Sequence, residues 1–310
     1  MIASVLSKAS DSELSKPLFR KLQLSEPDCP VLIFGGPYSN LQATEALMAE
    51  ARLLGVAADR VICTGDIVAY CAQPSETTQL IREWGIPVVM GNCEQSLANS
   101  AMDCGCGFEE NSSCSLLSVT WYRFTDQAIN QEQRQWMNTL PEIICFALAG
   151  KQIAVVHGSA ESINQFIFPS TPEQEKIKQF ELIKTLTGIY PDIIIGGHCG
   201  VPFADQLTLA DNRQVFWLNA GVIGMPANDG TSDGWYMLLE PDSKQSQLNV
   251  RFNRLAYDTD TAQRTMSDRG LNTPYQSALR SGLWPSTNIL PEKETADTGK
   301  PLQLSPVFIS

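Results

Sequence analysis

The sequence predicts an α/β fold with parallel crossovers. Two observations carry this prediction. Short apolar runs of strand length alternate with longer helix-like stretches through most of the chain. Four of those runs also end on a glycine beside a residue type that binds metals.

In chain order, residues 1–28 are polar and lack a sustained apolar period, so they read as an arm with one short helix before a core that starts at Val31. Strand-like Val31–Phe34, Val61–Cys63 and Val88–Met90 are then interleaved with helix-like Leu41–Leu54, Glu76–Trp84, Ser115–Ala128 and Gln131–Thr139. A second series holds strand-like Ile153–Val156, helix-like Pro172–Leu186, and strand-like Ile193–Ile195 and Val215–Leu218. Trp235–Glu240 and Leu248–Phe252 read as an antiparallel pair. This gives one main domain over 29–257. The extension over 258–310 carries a helix at Pro274–Trp284 that packs back on the core and a solvated tail that includes Pro291–Lys300.

The 310 residues, 43% hydrophobic and 18% charged, have the composition of a globular protein with a full core. A formal net charge of −12 opposes polyanions, so neither a long nucleic acid nor an anionic membrane is an expected partner. No apolar run reaches the length of a membrane span, and Asp11, Glu13 and Lys16 interrupt the stretch where a secretory signal would be apolar. A cytoplasmic location is expected. Nine cysteines without an export signal read as free thiols or metal ligands rather than a disulfide framework.

The four strand ends carry the chemistry. They lead into Gly65-Asp66, Gly91-Asn92, His157-Gly158 and Gly197-His198. In open α/β sheets ligands sit beyond the carboxyl ends of strands, which places these side chains on one edge. Asp66, Asn92 and two neutral imidazoles make a mixed oxygen and nitrogen shell suited to manganese, iron or zinc rather than calcium. A lone strand-end histidine is ordinarily a hydrogen-bonded core residue. Here both of the chain's two histidines stand at matching strand ends, which favours ligation.

These motifs, with Cys93-Glu94 after Asn92 and Cys199-Gly200 after His198, resemble in order those of the calcineurin-like metallophosphoesterases. The similarity runs from about Val31 to Glu240 and includes Tyr70, Pro74 and Glu76, and Asn219-Ala-Gly221 followed by Met225-Pro226, which resembles turns of the bacterial branch. The resemblance implies a four-layer α-β-β-α sandwich with two mixed sheets. It also implies a two-metal site in which an aspartate bridges the ions, activating water and clamping phosphoryl oxygens. Asp66 matches the bridging carboxylate, and Asn92, His157 and His198 match the other ligands of the second metal. The first metal's set is broken. Its Asp-x-His motif falls on Gly36-Pro37-Tyr38 and its last histidine on Gly200, so one metal site is intact and a second is in doubt. Cys93 replaces the histidine that orients substrate or protonates the leaving oxygen, which makes it the candidate substrate-facing residue.

Cysteines are candidates to rebuild what is lost. Cys199, Cys104, Cys106 and Cys114, with Tyr38, are the further metal or redox candidates, although their spacing matches no standard zinc or iron–sulfur motif. Ser39 and Asn40, in a glycine-rich turn before a helix, are phosphate-contact candidates, with helix capping as the simpler reading. The expected function is metal-dependent hydrolysis of a phosphomonoester or phosphodiester, with a small phosphorylated molecule as substrate or ligand. A non-catalytic metal- or phospholigand-binding scaffold or sensor, and a cysteine-based metal or redox protein, are the alternatives.

Overall fold

The computed structural model describes residues 18–24, 26, 28–107, 112–245 and 247–310. Two mixed sheets stack face to face. One holds six strands in the order β1 (Phe19–Lys21), β4 (Ile143–Leu148), β5 (Lys151–Val156), β6 (Ile193–Gly196), β8 (Gln214–Asn219) and β7 (Phe203–Thr208). The other holds five in the order β11 (Val307–Ile309), β10 (Gln247–Leu255), β9 (Gly234–Asp242), β2 (Val31–Phe34) and β3 (Val61–Cys63).

Between the sheets lies a dry layer of branched side chains, with Ile33, Ile62 and Met237 from one sheet meeting Val155, Ile193 and Leu218 from the other. The outer face of the five-stranded sheet is covered by α1 (Leu41–Leu53), α2 (Pro74–Trp84), α3 (Asn92–Ala98), α4 (Ser113–Ala128) and α5 (Gln131–Met137). On the outer face of the six-stranded sheet lies α6 (Glu173–Thr187), whose Phe180 and Ile183 pack on Ile194 and Trp217. The four-layer α-β-β-α arrangement expected from the sequence is therefore present.

Three stretches differ from their sequence reading. Residues 19–21 of the N-terminal arm pair in parallel with β4, because their backbone groups find partners on an open sheet edge; residues 1–17 of the arm lie outside the described residues. Val88–Met90 makes one bridge to Cys63 rather than a strand, since Pro87 brings no N–H to the ladder and Met90 donates instead to Pro141. Past residue 258 come α7 (Thr259–Asp268), α8 (Pro274–Ser281) and α9 (Glu292–Ala296), the last within the stretch expected as tail. The chain then ends as β11 on the edge of the second sheet.

This ending is tied down. Arg254 on β10 donates to Asp229 at 2.7 Å and to the Leu302 carbonyl at 3.0 Å, and Leu302 N–H donates back to Asp229. The segment between α8 and α9 is held separately, by Trp284, whose indole N–H donates to the Pro226 carbonyl at 2.6 Å and whose backbone N–H donates to the Asn228 side chain at 2.8 Å.

Candidate metal centre

Asp66 sits in the turn after β3, with φ of +55°, and its neighbour Gly65 has φ of +101°. Opposite it, a Cβ at Gly91 would lie 2.4 Å from both the Asp66 nitrogen and Oδ1, so only glycine admits this approach of the two loops. The carboxylate of Glu94 holds them together, accepting from the Asp66 N–H at 2.8 Å and from the Gly91 N–H at 3.0 Å. Burial, reinforced by the Asp66 charge, pushes the Glu94 carboxyl up to about 7.

His157 follows β5 and His198 follows β6, adjacent parallel strands, which is why the two rings meet. His157 Nδ1–H donates to the Thr64 carbonyl at 2.7 Å, leaving Nε2 with its lone pair facing inward. That nitrogen lies 3.0 Å from Asn92 Oδ1, 3.0 Å from His198 Nδ1 and 3.3 Å from Asp66 Oδ2. The Asn92 amide is oriented by its own donor, since Nδ2 donates to the Cys104 carbonyl at 2.9 Å.

Four lone-pair atoms thus surround one point, with the ligand atoms of Asp66, His157 and His198 all within 4.8 Å of one another. All four residues are buried. A single proton on a ring nitrogen satisfies at most one or two of these contacts, whereas a divalent cation satisfies all four, so the donor set fits a metal ion. The electrostatics agree. Burial would raise the Asp66 carboxyl, but the His157 and His198 imidazoles outweigh it and hold it below its ordinary value. Burial would lower His157, yet the Asp66 carboxylate raises it; burial and the neighbouring His157 push His198 down to about 3.

The positions of the broken site are filled. Gly36 has φ of +42°, and a Cβ there would lie 2.6 Å from the Tyr38 ring and 2.7 Å from Val222, so the Tyr38 side chain occupies the space a ligand at 36 would need. At Gly200 a Cβ would meet the Trp284 ring at 3.4 Å. What results is a cavity of about 50 Å³ beside the cluster, reached by Asp66 and His198 and walled by Tyr38, Tyr70, Phe166, Met225, Tyr275 and Trp284. Phe166 lies on the His198 ring, centroid to centroid 4.1 Å. Burial and the charge of Asp66 hold the Tyr38 phenol well above its usual range, so it stays neutral.

Of the candidate cysteines, Cys106, Cys114 and Cys199 line the cavity and Cys93 does not. Cys93, expected to face the scissile group, is 1% exposed and is not among the described residues lining the cavity; burial, with Asp66 and Glu94 nearby, keeps it a thiol. Cys104 and Cys106, candidates for a metal or redox role, are joined in a disulfide, which leaves neither free as a thiolate ligand, and Cys106 accepts a weak bond from Asn92 Nδ2 at 3.3 Å. Cys114 reaches the cavity wall. Cys199 is also there, but burial pushes it up to about 12, and it takes a hydrogen bond from Asn219 at 3.2 Å. Among the described residues no cysteine joins the metal-type cluster.

Ser39 and Asn40 are buried and outside the cavity lining. Asn40 caps α1 by accepting from Ala43 N–H and donates to the Gly224 carbonyl, while Ser39 accepts from Ala69 N–H. Their polar groups build the turn rather than meet a phosphate. Sequence reasoning missed the roles of Thr64, Glu94, Phe166 and Trp284. Only Glu94 left a local signal, standing three residues after Gly91 in a helix-capping pattern.

The chain belongs to the calcineurin-like phosphoesterase superfamily, whose domain model matches residues 38–244. An uncharacterized protein of Methanocaldococcus jannaschii is 24% identical over 244 residues, covering 75% of this chain and 89% of that relative. Among solved structures, a metallophosphoesterase from Sphaerobacter thermophilus is similar with a TM-score of 0.60 at 23% identity, over 82% of this chain and 99% of that one. A hypothetical protein from Pyrococcus horikoshii gives a TM-score of 0.65 at 17% identity, over 82% and 98%. Both likenesses establish the shared fold.

Proposed function

We propose that the protein is a metal-dependent phosphoesterase working with one divalent ion, manganese, iron or zinc, held by Asp66, Asn92, His157 and His198. The observation that carries this reading is the convergence of four acceptor atoms on one buried point, with the His157 proton committed to Thr64. When bound, such an ion supplies Lewis-acid polarisation of a phosphoryl oxygen and a nucleophile at neutral pH.

The chain's own residues set the conditions for that chemistry. Thr64 fixes the His157 tautomer, and the Cys104 carbonyl fixes the Asn92 amide. Aromatic walls keep bulk water from the charged cluster. Metal content and hydrolysis of 4-nitrophenyl esters of phosphate, measured for the wild type and for His157→Ala and Asp66→Asn, test the reading. Loss of both metal and turnover in both variants is expected, and turnover unchanged by both would sink it.

One observation favours a second reading, a binding protein without turnover. Tyr38 occupies the space a ligand at position 36 would need, Trp284 packs beside Gly200, and Cys93 is not among the described residues lining the cavity. Turnover that disappears on chelation and returns with a defined metal would exclude it.

A further inference from the structure

Three phenols stand against the cavity beside the cluster. Tyr38, Tyr70 and Tyr275 line it in a row, with ring centroids 4.8 Å apart for the first pair and 4.3 Å for Tyr70 and Tyr275. A buried tyrosine hydroxyl ordinarily finds a partner. Tyr122 donates to the Ala101 carbonyl and Tyr236 to the Glu50 carboxylate, each at 3.0 Å. Among the described residues none hydrogen-bonds to the hydroxyls of the three cavity tyrosines. Nor are these oxygens sealed in the core as the Tyr257 hydroxyl is, so they open on the cavity.

Two of the three are held there in an unusual backbone conformation. Tyr38 has φ of +50° and Tyr70 φ of +44°, a region that large side chains rarely enter. Their turns are laced to the loop that carries Asp66. Tyr38 N–H donates to the Asp66 carbonyl at 3.2 Å, Ser39 N–H to the Ile67 carbonyl at 2.8 Å, and Cys71 N–H to the Tyr38 carbonyl at 3.2 Å. Trp121 stands edge-on against the Tyr70 ring, centroids 5.0 Å apart. Strained positions that the surroundings hold this firmly gather at sites of ligand contact.

The rest of the wall offers few strong donors. Among the described residues that line it there is no lysine or arginine, and the Ser286 hydroxyl is committed to Asn288 at 2.7 Å. Where two ions are held, phosphoryl oxygens are clamped between them. Fixed hydrogen-bond donors stabilise the same oxygens without a second ion. A phenol, with an ordinary pKa of about 10, keeps its proton at neutral pH and can donate it in this way.

Resting on the phosphoesterase reading above, we infer that the Tyr38 and Tyr70 hydroxyls donate hydrogen bonds to the non-bridging oxygens of the substrate phosphoryl group, taking over the clamping that the lost first-site ligands no longer support. Neither phenol gives up its proton.

The test titrates full-length protein of measured metal content with inorganic phosphate by calorimetry, and follows turnover of 4-nitrophenyl phosphate alongside. Tyr38→Phe and Tyr70→Phe keep the rings and remove only the oxygens. Each should weaken phosphate binding about tenfold, the loss of one hydrogen bond to a charged acceptor. Each should lower kcat/KM about 10²-fold, the larger effect reflecting a donor aimed at the transition state. Metal content and the urea midpoint should not change, because the hydroxyls tie down no described part of the fold. Tyr122→Phe, which loses a hydroxyl away from the cavity, should bind phosphate as the wild type does. Phosphate affinity unchanged in either cavity variant, metal lost with either hydroxyl, an equal loss in Tyr122→Phe, or a wild type that binds no phosphate overturns this inference alone. A wild type that takes up no metal, or takes it up and turns nothing over, overturns the phosphoesterase reading instead, and the phosphate titration still decides the donors.

Discussion

Glu94 accepts a hydrogen bond from the backbone N–H of Asp66 at 2.8 Å, a longer one from Val68 N–H at 3.4 Å, and one from Gly91 N–H, which belongs to the loop that carries Asn92. One buried carboxyl group therefore sets the distance between two of the four cluster residues. Glu94→Ala leaves these N–H groups buried without an acceptor and is expected to cost about 3 kcal/mol. Urea unfolding checks the stability. Metal affinity should fall in parallel, because the loops are no longer held together.

Metal binding to the native state alone raises stability. At a free ion concentration a hundredfold above Kd the gain is about 2.7 kcal/mol. For a chain of this size that corresponds to a rise in Tm of roughly 5 °C. Thermal denaturation with and without chelator measures it. In His198→Ala the rise should vanish, since the cluster loses one of its two imidazoles.

Restoring a first-site side chain at position 36 is expected to fail. Gly36→Ala meets the Tyr38 ring and Val222 and must hold a positive φ, so a loss of roughly 2–4 kcal/mol is expected. Denaturant titration reads the loss. A stable Gly36→Asp variant with a second bound metal would contradict the account of the filled site.

Cys93→Ala should leave turnover within about threefold of the wild type, because a residue acting as general acid contributes about 10²–10⁴-fold. The thiol is buried off the cavity and stays protonated. Steady-state kinetics on a 4-nitrophenyl ester decide the point.

Asp229 ties the C-terminal extension down and gives it a pH dependence. Burial would raise its carboxyl, but the Leu302 N–H, the Thr231 hydroxyl and the Arg254 guanidinium together hold it below its ordinary value. A depressed folded pKa means the stabilisation is present above the unfolded value of about 3.9 and is lost as pH falls through the folded one. Asp229→Asn should therefore cost about 2 kcal/mol at pH 7 and less below about pH 4. Urea unfolding at both pH values reads the difference.

Much of the centre was legible in the sequence because its residues lie at the ends of strands that are themselves locally encoded. Val61–Cys63, Ile153–Val156 and Ile193–Ile195 are short apolar runs; the last two pair in parallel within one sheet and bring His157 and His198 to one edge, while Val61–Cys63 delivers Asp66 from the facing sheet, which only the packing of the two sheets decided. The β4 and β7 strands were not legible. Ile143–Leu148 has no period of its own, and Phe203–Thr208 is half polar; each becomes a strand by pairing antiparallel with a neighbour.

The sequence by itself determined the fold class, the four converging residues and the absence of three first-site ligands, since each is a matter of residue type at a strand end. Only the tertiary structure decided what stands in place of those ligands. Tyr38 folds over Gly36 within its own turn, but Trp284 comes from more than eighty residues beyond Gly200, held there by its hydrogen bonds to Pro226 and Asn228. Contacts of such separation leave no local pattern, because they depend on how whole layers pack rather than on the period of any one segment.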